Sequence, residues 1–92
     1  MIKSFKCPNT LMMFEGGRVK GFVNVQAAAM RKLALLNRAE KLDALRVPPG
    51  KRLEALKGGR AGQYSIRVND QFRICFRWTG LNVEVVEIVD YH

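Results

Sequence analysis

Apolar and polar positions alternate with period two across the stretch from Tyr64 to Trp78. Tyr64, Ile66 and Val68 are separated by Ser65 and Arg67, and Phe72, Ile74, Phe76 and Trp78 by Arg73, Cys75 and Arg77. This is the signature of two half-buried strands, and Asn69-Asp70-Gln71 between them is turn material. Placing residues 69–71 in the loop sets Ile66 against Ile74 and Tyr64 against Phe76, giving one wholly apolar face. A slip of one residue would set Ile66 against Arg73 and scramble both faces, so the first register is predicted. Its consequence is that Arg67 lies directly opposite Arg73. Like charges in that position destabilise a strand pair by roughly 0.2–1 kcal/mol when both are wet. Two guanidinium forks facing one another also suit a phosphate. If Arg73 is a solvated residue of the polar face, its removal is predicted to leave stability unchanged or slightly raised.

The rest of the chain reads as α+β. "MIKSFK" alternates as a short first strand. Pro8 and Thr10 are helix-start residues, and Leu11 to Phe14 gives one or two turns before Gly16-Gly17. A longer helix is predicted from Val25 to Asn37, with Asn24 as its N-cap. Val25, Ala29, Leu33 and Leu36 form its apolar stripe, with Met30 beside it. Asn37 and Glu40 have capping-box spacing, which predicts a second helical segment from Arg38 to Arg46. Pro48-Pro49-Gly50 ends all helix. Leu53 and Leu56 anchor a short edge strand, followed by a glycine-rich loop that carries Lys57 and Arg60. Val83 to Val89 is a last strand, apolar on both faces and therefore predicted to be interior to the sheet. By simple alternation, Val83, Val85 and Val89 share one face, and Val86 and Ile88 the other. The whole is predicted to be a single domain, residues 1–92, whose antiparallel meander is covered on one face by two helices.

The charge then narrows the partners. The chain has 92 residues and a net charge of +8. From Arg46 to Arg77 there are eight Lys and Arg residues against Glu54 and Asp70. An anionic partner is expected: nucleic acid, a ribosome or an acidic protein. No run approaches transmembrane length. The first residues lack the apolar stretch of a secretion signal, so the expected location is the cytosol. Cys7 and Cys75 have no metal-type spacing, and Cys75 is expected to be a reduced packing residue. Glu84, Glu87 and Asp90 form an acidic cluster, but alternation puts Glu87 on a different face from the other two. Neither a metal nor another cofactor is expected.

The strings "PPGKRLEALKG", "YSIRVNDQFRICFRW" and the closing "VEIVDYH" resemble the HigB branch of the RelE/ParE superfamily, most of all its GraT-like members. The resemblance covers the whole chain. It implies a toxin of a type II toxin–antitoxin pair, built on a small antiparallel sheet with the first strand beside the last. It also implies metal-independent cleavage of mRNA on the translating ribosome, and a helix-turn-helix antitoxin of the HigA type. By this resemblance Lys57, Arg67, Arg73, Asp90, Tyr91 and His92 are the candidate catalytic residues. Cleavage through a ribose 2′-hydroxyl needs an acceptor for its proton, cations for the phosphorane charge, and a donor for the leaving oxygen. Arg67 and Arg73 suit the cationic role. Lys57 suits the same role or that of proton donor. Asp90 or His92 suits the acceptor, and Tyr91 a stacking or donor role. Lys51, Arg52, Arg60 and Arg77 are candidate RNA-binding residues. Many relatives carry a histidine three residues before the lysine, where this chain has Glu54. Two other readings remain open at this stage: a gyrase poison of the ParE type on the same fold, and a non-catalytic basic module that binds RNA or ribosomes.

Overall fold

The computed structural model describes residues 1–45 and 53–90. Helix α1 runs Pro8–Phe14 and helix α2 runs Gln26–Arg38. Four antiparallel strands follow: β1 (Glu54–Ala55), β2 (Tyr64–Arg67), β3 (Phe72–Trp78) and β4 (Val83–Asp90), in the order β1-β2-β3-β4. The β2–β3 register is the one predicted, with Tyr64 opposite Phe76, Ile66 opposite Ile74 and Arg67 opposite Arg73. Asn69 fixes the loop. Its side-chain oxygen accepts from the backbone N–H groups of Gln71 (2.9 Å) and Phe72 (2.7 Å).

The apolar stripe of α2 is buried as expected, through Val25, Ala29, Leu33 and Leu36. These residues pack with Met13 of α1 against Ile66, Ile74, Phe76, Val83 and Val86 of the sheet. The helix ends differ from the sequence reading. Val25, not Asn24, is the N-cap, and it makes no side-chain cap bond. The segment before α2 is tied down by Gln26 instead, whose side-chain oxygen accepts from Val19 N–H (3.2 Å). The predicted second helix is reduced to a single 3-10 turn, Leu42–Leu45. Asn37 does not start a capping box, because its side-chain oxygen accepts from the backbone N–H of Ile2 (2.9 Å).

Strand β4 departs furthest from simple alternation. Cys75 pairs with Glu87 but Arg77 pairs with Glu84, so β4 carries one extra residue at a bulge. Val85 sits there at φ 48°, in the left-handed region that β-branched residues rarely occupy. The bulge resets the faces. Val83, Val86 and Ile88 become core residues, while Val85 is half-buried. Glu84 and Glu87 then share the polar face, and Asp90, paired with Phe72, leaves on the other. The sequence reading had set Glu87 apart from Glu84.

The outer edge of β4 is covered by the start of the chain. The predicted first strand is present as two isolated parallel bridges, Ile2 to Val83 and Phe5 to Val86. Ser4 lies between them and serves the bulge, accepting from Val85 N–H at its hydroxyl (2.9 Å) and from Val86 N–H at its carbonyl (3.2 Å). Further along, the buried Thr10 hydroxyl accepts from Ile88 N–H (3.0 Å). The edge donors of Val85, Val86 and Ile88 thus find partners, which removes most of the pairing template that a bare edge offers. Thr10→Val keeps the shape but leaves the Ile88 N–H buried and unpaired. It is expected to destabilise the fold by about 1–2 kcal/mol in urea denaturation.

Candidate active site

The polar face of the sheet is built from cross-strand rows. One row runs Glu54, Ser65, Cys75, Glu87 across β1 to β4, and the next runs Arg67, Arg73, Val89. Arg73 is not solvated: only 5% of it is exposed. Its Nη1 donates to the Ser65 hydroxyl (3.0 Å) and its Nη2 to Glu54 Oε1 (2.8 Å). The expected repulsion between facing guanidinium groups is therefore balanced by acids from the same chain. The expectation that Arg73 could be removed without loss of stability is overturned by this burial and pairing. Arg67, about a third exposed, donates from Nε to the carbonyl of Asn69 (3.2 Å) and pairs through Nη2 with Asp70.

The β1–β2 loop folds toward the opposite side of this face. A 3-10 turn, Gly58–Arg60, carries Arg60 to Glu87 of β4, where Nη2 lies 2.9 Å from Oε1. Lys6 Nζ approaches the same oxygen at 3.7 Å. Glu87 Oε1 is held there by charge and not by a well-aligned hydrogen bond. Arg60 Nη1 also donates to the Gln63 side chain (3.3 Å). Cys75, buried between Ser65 and Glu87 in its row, has its thiol pushed above its ordinary pKa. Burial is the main cause. Glu87 acts in the same direction, and Arg60, Arg73 and Lys6 oppose it. A protonated, enclosed thiol is a packing group here and not a nucleophile.

The candidates are thus brought together in part. Arg67 and Arg73 are cross-strand partners. Lys57 is exposed at the start of the turn that carries Arg60. Arg77 is exposed on the polar face, opposite Glu84. Asp90 is exposed at the hairpin end of the sheet, where Gln71 Nε2 donates to it (3.1 Å). It is one register step from Arg73 but on the other face of the pleat. Lys51, Arg52, Tyr91 and His92 lie outside the described residues, as does Arg46. Sequence reasoning missed Ser65 and Glu87 as partners of the arginines. Ser65 was legible as the neighbour of Arg73 on the same face, but placing Glu87 requires the bulge.

Residues 5–92 match the family described as the RelE-like toxin of type II toxin–antitoxin system HigB. The chain belongs to that family. Toxin HigB-1 of Vibrio cholerae is 46% identical over 55 residues, covering 60% of this chain and 58% of that protein. An uncharacterised Haemophilus influenzae protein is 36% identical over 55 residues, which cover 54% of its length. Endoribonuclease HigB of Proteus vulgaris is 31% identical over 93 residues, covering 100% of both chains. Among solved structures, YoeB in a YoeB–YefM toxin–antitoxin complex from Staphylococcus aureus superposes with a TM-score of 0.61 at 18% identity. That match covers 100% of this chain and 98% of YoeB. A YoeB dimer from the same organism gives 0.60 at 19%, covering 99% and 97%. The HigB-family chain therefore shares the RelE-like fold of these toxins. Among its described residues, no helix is long and apolar enough to cross a membrane.

Proposed function

We propose that this HigB-family chain, a single domain, is a metal-independent endoribonuclease that cuts mRNA on the translating ribosome in the bacterial cytoplasm. Its antitoxin is of the helix-turn-helix HigA type. The observation that carries the reading is the pair Arg67 and Arg73, facing each other on the polar side of a RelE-like sheet. The full-length likeness to a Proteus vulgaris endoribonuclease supports it.

In this reading the scissile phosphate meets Arg67 first, because Arg67 is the more exposed of the pair. Arg73, fixed by Ser65 from beneath, supplies a preorganised charge that needs no reorganisation as the phosphorane forms. Lys57 stands at the mouth of the adjoining loop, as a further cation or as the donor to the leaving oxygen. Asp90 is exposed at the hairpin end, one register step from Arg73 and on the other face of the pleat. It is a candidate acceptor for the 2′-hydroxyl proton only if substrate reaches round the strand end, and His92 is the other candidate. Tyr91 stacks on a base or donates a hydrogen bond. Lys51, Arg52, Arg60 and Arg77 attract ribosomal and messenger RNA. Two of these have a neighbouring acid, Arg60 at Glu87 and Arg77 opposite Glu84, so their attraction is tempered.

The test is controlled expression followed by mapping of 5′ mRNA ends, with and without co-expressed antitoxin. New ends in phase with codons, confined to translated messages and suppressed by the antitoxin, are expected. DNA damage with intact messages would instead assign a gyrase poison. Tight RNA binding without new ends would assign a non-catalytic module.

A further inference from the structure

We propose that Glu54 is an internal competitor for the substrate phosphate, occupying the Arg73 donor that the phosphate must take. The proposal rests on the assignment of Arg67 and Arg73 as the phosphate pair. Arg73 has two terminal nitrogens. One is bonded to the buried Ser65 hydroxyl, and the other to Glu54 Oε1 at 2.8 Å. The Glu54 side chain is 44% exposed while that of Arg73 is 6% exposed. An anion approaching Arg73 from solvent therefore meets the carboxylate before the guanidinium. Both are negative and both suit the same donor, so they exclude one another.

The acids paired with Arg67, Arg60 and Arg73 are not equivalent as competitors. Asp70, on Arg67, is 94% exposed, and such a pair is worth little in water. Glu87, at the β4 end of the row that Glu54 begins, is enclosed at 17% side-chain exposure and engaged by Arg60 and Lys6, so it cannot swing into water as Glu54 can. Glu54 combines a short contact to a buried arginine with enough exposure to swing into water without burying a charge. It sits on β1, a two-residue edge strand, where such a movement disturbs only one neighbouring strand. The site is therefore latched by its own chain. RNA opens the latch by exchange, and the exchange lowers affinity and slows turnover.

The test uses the full chain with a 2′-O-methyl RNA oligonucleotide, which binds but cannot be cut, followed by fluorescence anisotropy. Glu54→Gln keeps an oxygen acceptor for Arg73 and removes the charge. Glu54→Ala is a second variant without the acceptor. Glu15→Gln makes the same net-charge change at an exposed position ending α1. Glu54→Gln is expected to bind about 3–5-fold tighter than the unmodified chain, the size set by breaking one partly exposed ion pair. Glu54→Ala should follow it, Glu15→Gln should change affinity by less than about 1.5-fold, and ribosomal cleavage by Glu54→Gln should be equal or faster. Equal or weaker RNA binding by both Glu54 variants, while the unmodified chain binds, would overturn the latch alone. A loss of cleavage rate with binding unchanged would also overturn it, and would make Glu54 the proton acceptor. Failure of every form, including the unmodified chain, to bind the oligonucleotide would overturn the phosphate-pair assignment, and the latch with it.

Discussion

Arg67→Ala is expected to slow mRNA cleavage on ribosomes by about 10²–10³-fold while leaving the fold intact, because it removes one preorganised donor to a developing negative charge. The two halves of this expectation have separate structural causes. Arg67 contacts an exposed carboxylate and a loop carbonyl, and water replaces both partners when the side chain is truncated. Surface pairs of this kind contribute less than about 1 kcal/mol. The core residues Ile66 and Phe72 are untouched. Single-turnover cleavage measured beside urea denaturation separates the effects. A stable variant that cuts at the normal rate would move the phosphate away from this face. A variant that loses more than about 2 kcal/mol would make Arg67 a structural residue.

Arg73→Ala is expected to lose cleavage to a similar extent but also to lose about 2–3 kcal/mol of stability. The side chain is buried, so its removal leaves a void and takes away the partner of the buried Ser65 hydroxyl. Glu54 is exposed enough to rehydrate, which keeps the loss below that of a fully buried broken ion pair. For a domain of this size the melting temperature should fall by roughly 10–20 °C. Arg73→Met refills the space of the stem without the charge. It should recover part of the stability and none of the cleavage. Stability unchanged in Arg73→Ala would mean that the guanidinium is in fact solvated. Cleavage recovered in Arg73→Met would remove Arg73 from the site. If both arginines serve one phosphate, the double variant should lose less rate than the product of the single losses.

The hairpin was legible from alternation alone, because a slip of one residue would have exposed every apolar side chain between Tyr64 and Phe76. The stripe of α2 was legible for the same kind of reason. Strand β4 was not. Its pattern "VEVVEIV" breaks alternation at Val85-Val86, which reads equally as a strand apolar on both faces or as a bulge, and the Ser4 side chain that serves the bulge lies 81 residues away in sequence. Asn37 was misread because a capping side chain and a tertiary acceptor look identical in sequence. At the site, the facing of Arg67 and Arg73 followed from register, but the burial of Arg73 did not. Burial there depends on which acid reaches it from the edge strand, and a single-strand pattern holds no record of that.

The pairing of the first residues with β4 also sets an order of events during synthesis. Ile2 and Phe5 bridge Val83 and Val86, so residues 2–5 wait for β4 to be made before they find these partners. Contacts this distant in sequence form late, because most of the closing entropy must be overcome before they add any stability. Lys6, which completes the charge cluster at Glu87, arrives with them. Until residues 83–90 are made, β4 is absent and the polar face is unassembled. The packing of residues 2–5 against the bulged edge of β4 is therefore complete only when these two distant segments close together.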